Sequence, residues 1–144
     1  MNYTFDKKIA GTFDEVVERT MAALKKEGFG VLTDIDVSAT MQAKLNVEFR
    51  PYRILGACNP PLAHQALQAE DKIGAMLPCN VIVQEKPDGI EVSAVDPLAG
   101  MERIGNPKLS SIAAEVGGQA EKGHGLNLNN AAAENVTECG QEIC

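Results

Sequence analysis

The sequence predicts an α+β domain, a mainly antiparallel sheet with helices packed on one face, followed by a loosely ordered C-terminal tail. Three observations predict it. The apolar period switches between that of a strand and that of a helix in the order β-α-β-α-β-α-β-β-α, which is not a regular βαβ series. Two β-rich runs in CNVIVQEKPDGIEVSAVDP adjoin across Pro87-Asp88-Gly89, a hairpin turn in which Gly89 supplies a positive φ. After Gly117-Gly118 the periodic pattern gives way to Asn, Gly and Ala, so the division falls into a single domain over residues 1–116 and a tail over 117–144.

Each element has its own signal. In YTFDKKIA, Tyr3, Phe5 and Ile9 alternate with Thr4, Asp6 and Lys8, the pattern of a half-buried strand. Thr12 and Glu15 then form a capping box ahead of an apolar face made by Phe13, Val16, Val17, Met21 and Leu24, with Gly28 as the stop. VLTDIDV reads as a second strand, and SATMQAKLN as a short helix capped by Ser38 or Thr40 and ended near Asn46. VEFRPYRILGA is extended, and Pro51 points to a sheet edge or a bulge. Asn59 caps the next helix and Pro60 starts it. Leu62, Ala66, Ala69, Ile73 and Met76 form its apolar side, with a break expected near Glu70-Asp71. A last helix starts at Asn106-Pro107, buries Leu109, Ile112, Ala113 and Val116, and is interrupted at Gly117-Gly118.

The bulk composition excludes some partners. The net charge is −7, and the 13 Lys and Arg are scattered among 20 acids, which disfavours a nucleic-acid phosphate backbone and an anionic membrane surface. No apolar run approaches a membrane span, and the first residues lack the apolar core of a signal peptide, so a cytoplasmic location is expected. Four cysteines in a reducing compartment point to thiols rather than structural disulfides.

Cys58 and Cys79 are the most conspicuous candidates, each followed by an asparagine: Asn59 and Asn80. A thiol at a helix start can be held as a thiolate by backbone N–H groups and the helix dipole. The alternative is that Cys58 and Cys79 are small apolar residues used for packing. An unbroken helix between them would hold the pair ~30 Å apart at ~1.5 Å per residue, so only a break lets them approach.

Other candidates are weaker. With two histidines and no CxxC, HxxxH or HExxH, no metal site is expected; His64 is awkwardly spaced from Cys58, and His124, Cys139 and Cys144 lie in the tail. Asp34 and Asp36 share one face of a strand, as acid–base pairs can and as solvent-facing edges do. Arg50, Tyr52 and Arg53 offer an anion site or an edge cover. Gly28 to Gly30 lacks a full phosphate-loop pattern. Enzyme signatures are absent, no catalytic residue can be assigned, and no cofactor is expected.

The runs YRILGACNPPLA and LPCNV closely resemble the bacterial and archaeal domain-of-unknown-function 302 family, along with KKEGFGVLTDIDVSATMQAKL upstream and VSAVDPLAGM downstream. The resemblance covers residues 1–116 and rests most on Gly56, Cys58, Asn59, Pro60, Leu77, Pro78, Cys79 and Asn80. It implies a compact domain of the TATA-binding-protein-like class, commonly an oligomer, with no established activity. The expected function is therefore a small-ligand-binding or interaction module acting as a homodimer, with Cys58, Asn59, Cys79 and Asn80 near the ligand. The alternative is a thiol-dependent redox or soft-metal-binding protein using Cys58 and Cys79.

Overall fold

The computed structural model describes residues 3–125, and side chains through residue 118. The described elements are β1 (Thr4–Ile9), α1 (Phe13–Lys26), β2 (Gly30–Asp36), α2 (Val37–Leu45), β3 (Tyr52–Cys58), α3 (Pro60–Ala69), a 3-10 segment (Asp71–Met76), β4 (Cys79–Lys86), β5 (Gly89–Val95), α4 (Pro97–Met101), a second 3-10 segment (Glu102–Ile104) and α5 (Pro107–Gly125). The strands form one five-stranded sheet in the order β1-β5-β4-β3-β2, with every neighbouring pair antiparallel. The α+β architecture is as expected, with a short helix and a 3-10 turn added after Pro97.

Alternation along the strands divides the sheet into two unlike faces. Ile9, Leu55, Ala57, Val81, Val83, Ile90, Val92 and Ala94 point to one side and are buried against Val16, Val17 and Leu24 of α1, Leu62 of α3 and Val116 of α5. A second cluster joins Ala66 of α3, Ile73 of the first 3-10 segment, Met101 of α4 and Leu109 and Ala113 of α5. The opposite face carries Ile54, Ile82 and Tyr52, all half-buried, and no helix of the core layer covers it.

Local chemistry explains the boundaries. The Thr12 and Glu15 capping box is formed, and Gly28 closes α1 at φ 84°. Asn59 Oδ1 accepts from Leu62 N at 3.3 Å and Pro60 opens α3. The helix does break: Glu70 is extended, and the 3-10 segment begins at Asp71.

Three expectations need correction. The cap of α2 is Asp36, whose Oδ1 accepts from Ala39 N at 2.9 Å, not Ser38 or Thr40; Ser38 instead donates to Phe49 O, and Thr40 Oγ1 back-bonds to Asp36 O. A carboxylate one residue before the helix competes better for its first N–H groups than a hydroxyl already inside it. Pro51 marks neither an edge nor a bulge, because β3 is an interior strand; the proline lies just ahead of it, where only its carbonyl is needed, accepting from Glu85 N at 3.0 Å. Gly117-Gly118 do not interrupt the last helix, which continues to Gly125. Gly117 is buried, and a Cβ there would rest in ordinary contact with the Pro97 ring, at 3.7 Å. The remaining tail, including Cys139 and Cys144, lies outside the described residues.

Candidate functional site

The break in α3 and the return through the 3-10 segment bring the two cysteine-bearing ends together. Ala57 pairs with Cys79, Gly56 with Asn80, and Gly30 with Cys58 across adjacent antiparallel strands. Paired residues share a face, so Cys79 joins Ala57 on the core side, whereas Cys58 and Asn80 belong with Gly56 on the open side. Both thiols are half-buried and neither is in a disulfide. Burial raises the Cys79 thiol above the ordinary cysteine range, and the nearby Cys58 adds to the rise.

The start of α3 is a poor thiolate holder. Its first two residues are Pro60 and Pro61, which have no N–H; Leu62 N is taken by Asn59 Oδ1, and Ala63 N bonds Asn59 O. The backbone N–H groups of the first turn of α3 are thus absent or engaged within the helix. The two prolines after CN carried that signal in the sequence.

What the signature residues build locally is a close contact. Gly56 is buried, and a Cβ there would collide with Thr33 Oγ1 and sit 2.7 Å from Pro78 Cγ. Thr33 of β2 and Pro78, after a cis Leu77-Pro78 bond, lie against its backbone. The sequence gives no sign of the role of Thr33, because nothing in VLTDID says which residue faces a glycine in the next strand of the chain. Asn59 spends its carbonyl on the cap. The four residues expected around a ligand thus fall in three settings: Cys58 and Asn80 on the open face, Cys79 on the core face, and Asn59 at the helix cap.

The other candidates also separate. Arg53 forms a bidentate pair with Asp34, its Nε 2.7 Å from Oδ1, and the hydrogen bond holds the Asp34 carboxyl below the usual carboxylate range. Asp36 caps α2, so Asp34 and Asp36 do separate structural work. Arg50 stands apart from Arg53, stacked over Phe49 and Tyr52 at 4.6 and 5.5 Å from the ring centroids. Its Nε and Nη2 donate to Gln84 Oε1; Gln84 in turn donates to Glu91, which also accepts from Lys86. This network roofs one end of the open face. A shallow cavity of about 410 Å³ lies at that same end, lined by Asp36, Ser38, Gln42, Val47 and Phe49, and not beside Cys58 and Asn80. Among the described residues no group of three or more His, Cys, Asp and Glu side chains comes together, and no helix is long and apolar enough to cross a membrane.

The family model "Domain of unknown function DUF302" matches residues 5–123. The chain belongs to the DUF302 family. The match runs past Gly117-Gly118, as α5 does. A similar solved structure is that of an uncharacterized conserved DUF302 protein from Bacillus stearothermophilus, 28% identical, with a TM-score of 0.79 over 84% of this chain and 94% of that one. None of the curated proteins matches the chain.

Proposed function

We propose that this DUF302 chain is an interaction module that acts as a homodimer and offers the open face of its sheet to a small ligand. One observation carries the proposal. β2 and α2 are fully formed and capped at both ends, yet contain no buried residue. Nine residues of helix do not hold together in water on propensity alone, and such elements draw their stability from a face they cover. Leu32, Ile35, Leu45 and Val47 remain 66%, 47%, 65% and 48% exposed in this one region. Clustered apolar exposure of this kind marks an association surface.

A ligand on the open face would meet Asn80 and Cys58 at one end and the Arg50 roof at the other. The thiol alternative draws no support from the geometry, since Cys58 and Cys79 address opposite faces and the helix start has no N–H to spare. Light scattering of the full chain at micromolar concentration tests the association: twice the monomer mass is expected, and a monomer overturns it. Native mass spectrometry of protein taken from the cell tests the ligand, with a bound small molecule as the expected outcome and a bare chain as the contrary one.

A further inference from the structure

We infer that the open face takes a small carboxylic acid with an apolar body, its carboxylate on Arg50 and its body across Tyr52, Ile54 and Ile82. This rests on the open-face ligand reading and names the chemistry of that ligand.

The register lays the face out in rows. Ile35, Ile54, Ile82, Ser93 and Asp6 oppose one another in turn across the five strands, and Tyr52, Gln84, Glu91 and Lys8 form the next row. Opposed residues share a face, so both rows lie on the open side. The first row is apolar from β2 to β4 and turns polar at Ser93. Ser93 is 4% exposed, and its hydroxyl has no hydrogen-bond partner among the described residues. A hydroxyl buried that far beside an apolar strip is left to meet whatever lies on the strip.

Arg50 is held over the second row. Its guanidinium lies 4.6 Å from the Phe49 ring centroid and 5.5 Å from that of Tyr52, and Nε and Nη2 both donate to Gln84 Oε1. One edge of the fork is thus spent on a neutral partner. Nη1 and the second proton of Nη2, the outer edge, have no partner among the described residues, and no ion pair there joins Arg50 to a carboxylate. The network around it holds two cations, Arg50 and Lys86, against one carboxylate, Glu91, which accepts from Lys86 and Gln84. What it lacks is an anion. A planar guanidinium with its outer edge free matches a carboxylate through two parallel N–H···O bonds. The two rings and Gln84 orient it beforehand, which lowers the entropy cost of binding.

The spacing sets the body. Gln84 holds the guanidinium at the second row, and the isoleucine row lies two residues further along each strand, about 7 Å away at ~3.3 Å per residue. A carboxylate on Arg50 therefore lays the carbons several bonds behind it over Ile54 and Ile82. An inorganic anion would leave those isoleucines uncovered. An alcohol or amine of the same length would leave Arg50 unanswered.

The test uses octanoate as the probe, titrated into the full isotope-labelled chain and followed by amide NMR. Saturable shifts are expected at Tyr52, Ile54, Ile82 and Gln84, while octylamine, octanol and inorganic phosphate leave them in place at the same concentrations. Arg50→Gln, at an exposed position, should keep the circular dichroism of the wild type and bind octanoate about 10–100-fold more weakly, the loss of a charge-assisted pair. Octanol or octylamine binding as tightly as octanoate, or an Arg50→Gln variant of undiminished affinity, overturns the carboxylate assignment. Phosphate binding equally well overturns the apolar body. Octanoate that leaves these amides unmoved at millimolar concentration overturns the proposal as a whole. A different small molecule then found on the chain by native mass spectrometry leaves the open-face reading standing, and a bare chain removes that reading too.

Discussion

Gly56 has no room for a methyl group. A Cβ there would overlap Thr33 Oγ1 and Pro78 Cγ, and the proline ring has nowhere to rotate. Gly56→Ala should therefore destabilise the fold by about 1–3 kcal/mol, the usual range for overpacking, measured by urea unfolding. Adding Thr33→Ala should recover only part of that loss, because Pro78 remains. The cysteines give a second expectation at this scale. Burial and the neighbouring Cys58 raise the Cys79 thiol above its ordinary range, so iodoacetamide should label Cys79 slowly at pH 7 in the folded protein. Fast labelling of Cys79 would contradict this burial. The Asp34–Arg53 pair gives a third. Its carboxyl titrates lower folded than unfolded, so its stabilisation is present above the unfolded carboxylate pKa and is lost as pH falls through the folded one. Asp34→Asn should cost up to about 1 kcal/mol at neutral pH, as for a well-formed exposed pair, and the difference from wild type should close as the pH falls through the lowered carboxylate range of Asp34.

At the scale of elements, the sequence was most legible where one residue type has one local job. The capping box at Thr12, the cap at Asn59, the turn at Gly89 and the break after Ala69 were all readable, because each depends on neighbours within a few residues. Two things were not. Asp36 looked like a strand carboxylate because strand and helix meet there without a loop, so one residue both ends β2 and caps α2. Gly117-Gly118 looked like a stop because glycine usually ends helices. Here neither glycine has the positive φ of a helix stop; a Cβ at Gly117 would make only an ordinary contact with Pro97, and nothing lies within 4 Å of where the Cβ of Gly118 would be. The candidate site was least legible, since which face Cys58 and Cys79 take depends on register between strands, which no local pattern reports. The helical reading of this segment predicts that Gly118→Ala stabilises the protein by about 0.5–1 kcal/mol, through lost backbone freedom in the unfolded chain. A destabilised Gly118→Ala variant in urea unfolding would show that the position does not take the helical backbone of α5.

At the scale of the molecule, α5 is the element that makes the two clusters one core. Val116 and Ile112 pack into the cluster on the sheet, and Leu109 and Ala113 into the one formed with Ala66, Ile73 and Met101. Ile112 touches both. The second cluster lies off the strands, beneath short helices and 3-10 segments that have little regular structure of their own, so α5 supplies most of what those segments pack on. Leu109 is fully buried at its centre. Leu109→Ala leaves a cavity that only short segments can close, and should cost about 2–5 kcal/mol. If α5 couples the clusters, unfolding of the variant followed by helical circular dichroism and by denaturant sensitivity should remain a single transition, displaced to lower urea with an unchanged slope. Two separated transitions, the earlier one assigned by hydrogen exchange to residues 60–76 and 97–116, would show that the sheet cluster stands without the other and that α5 does not join them.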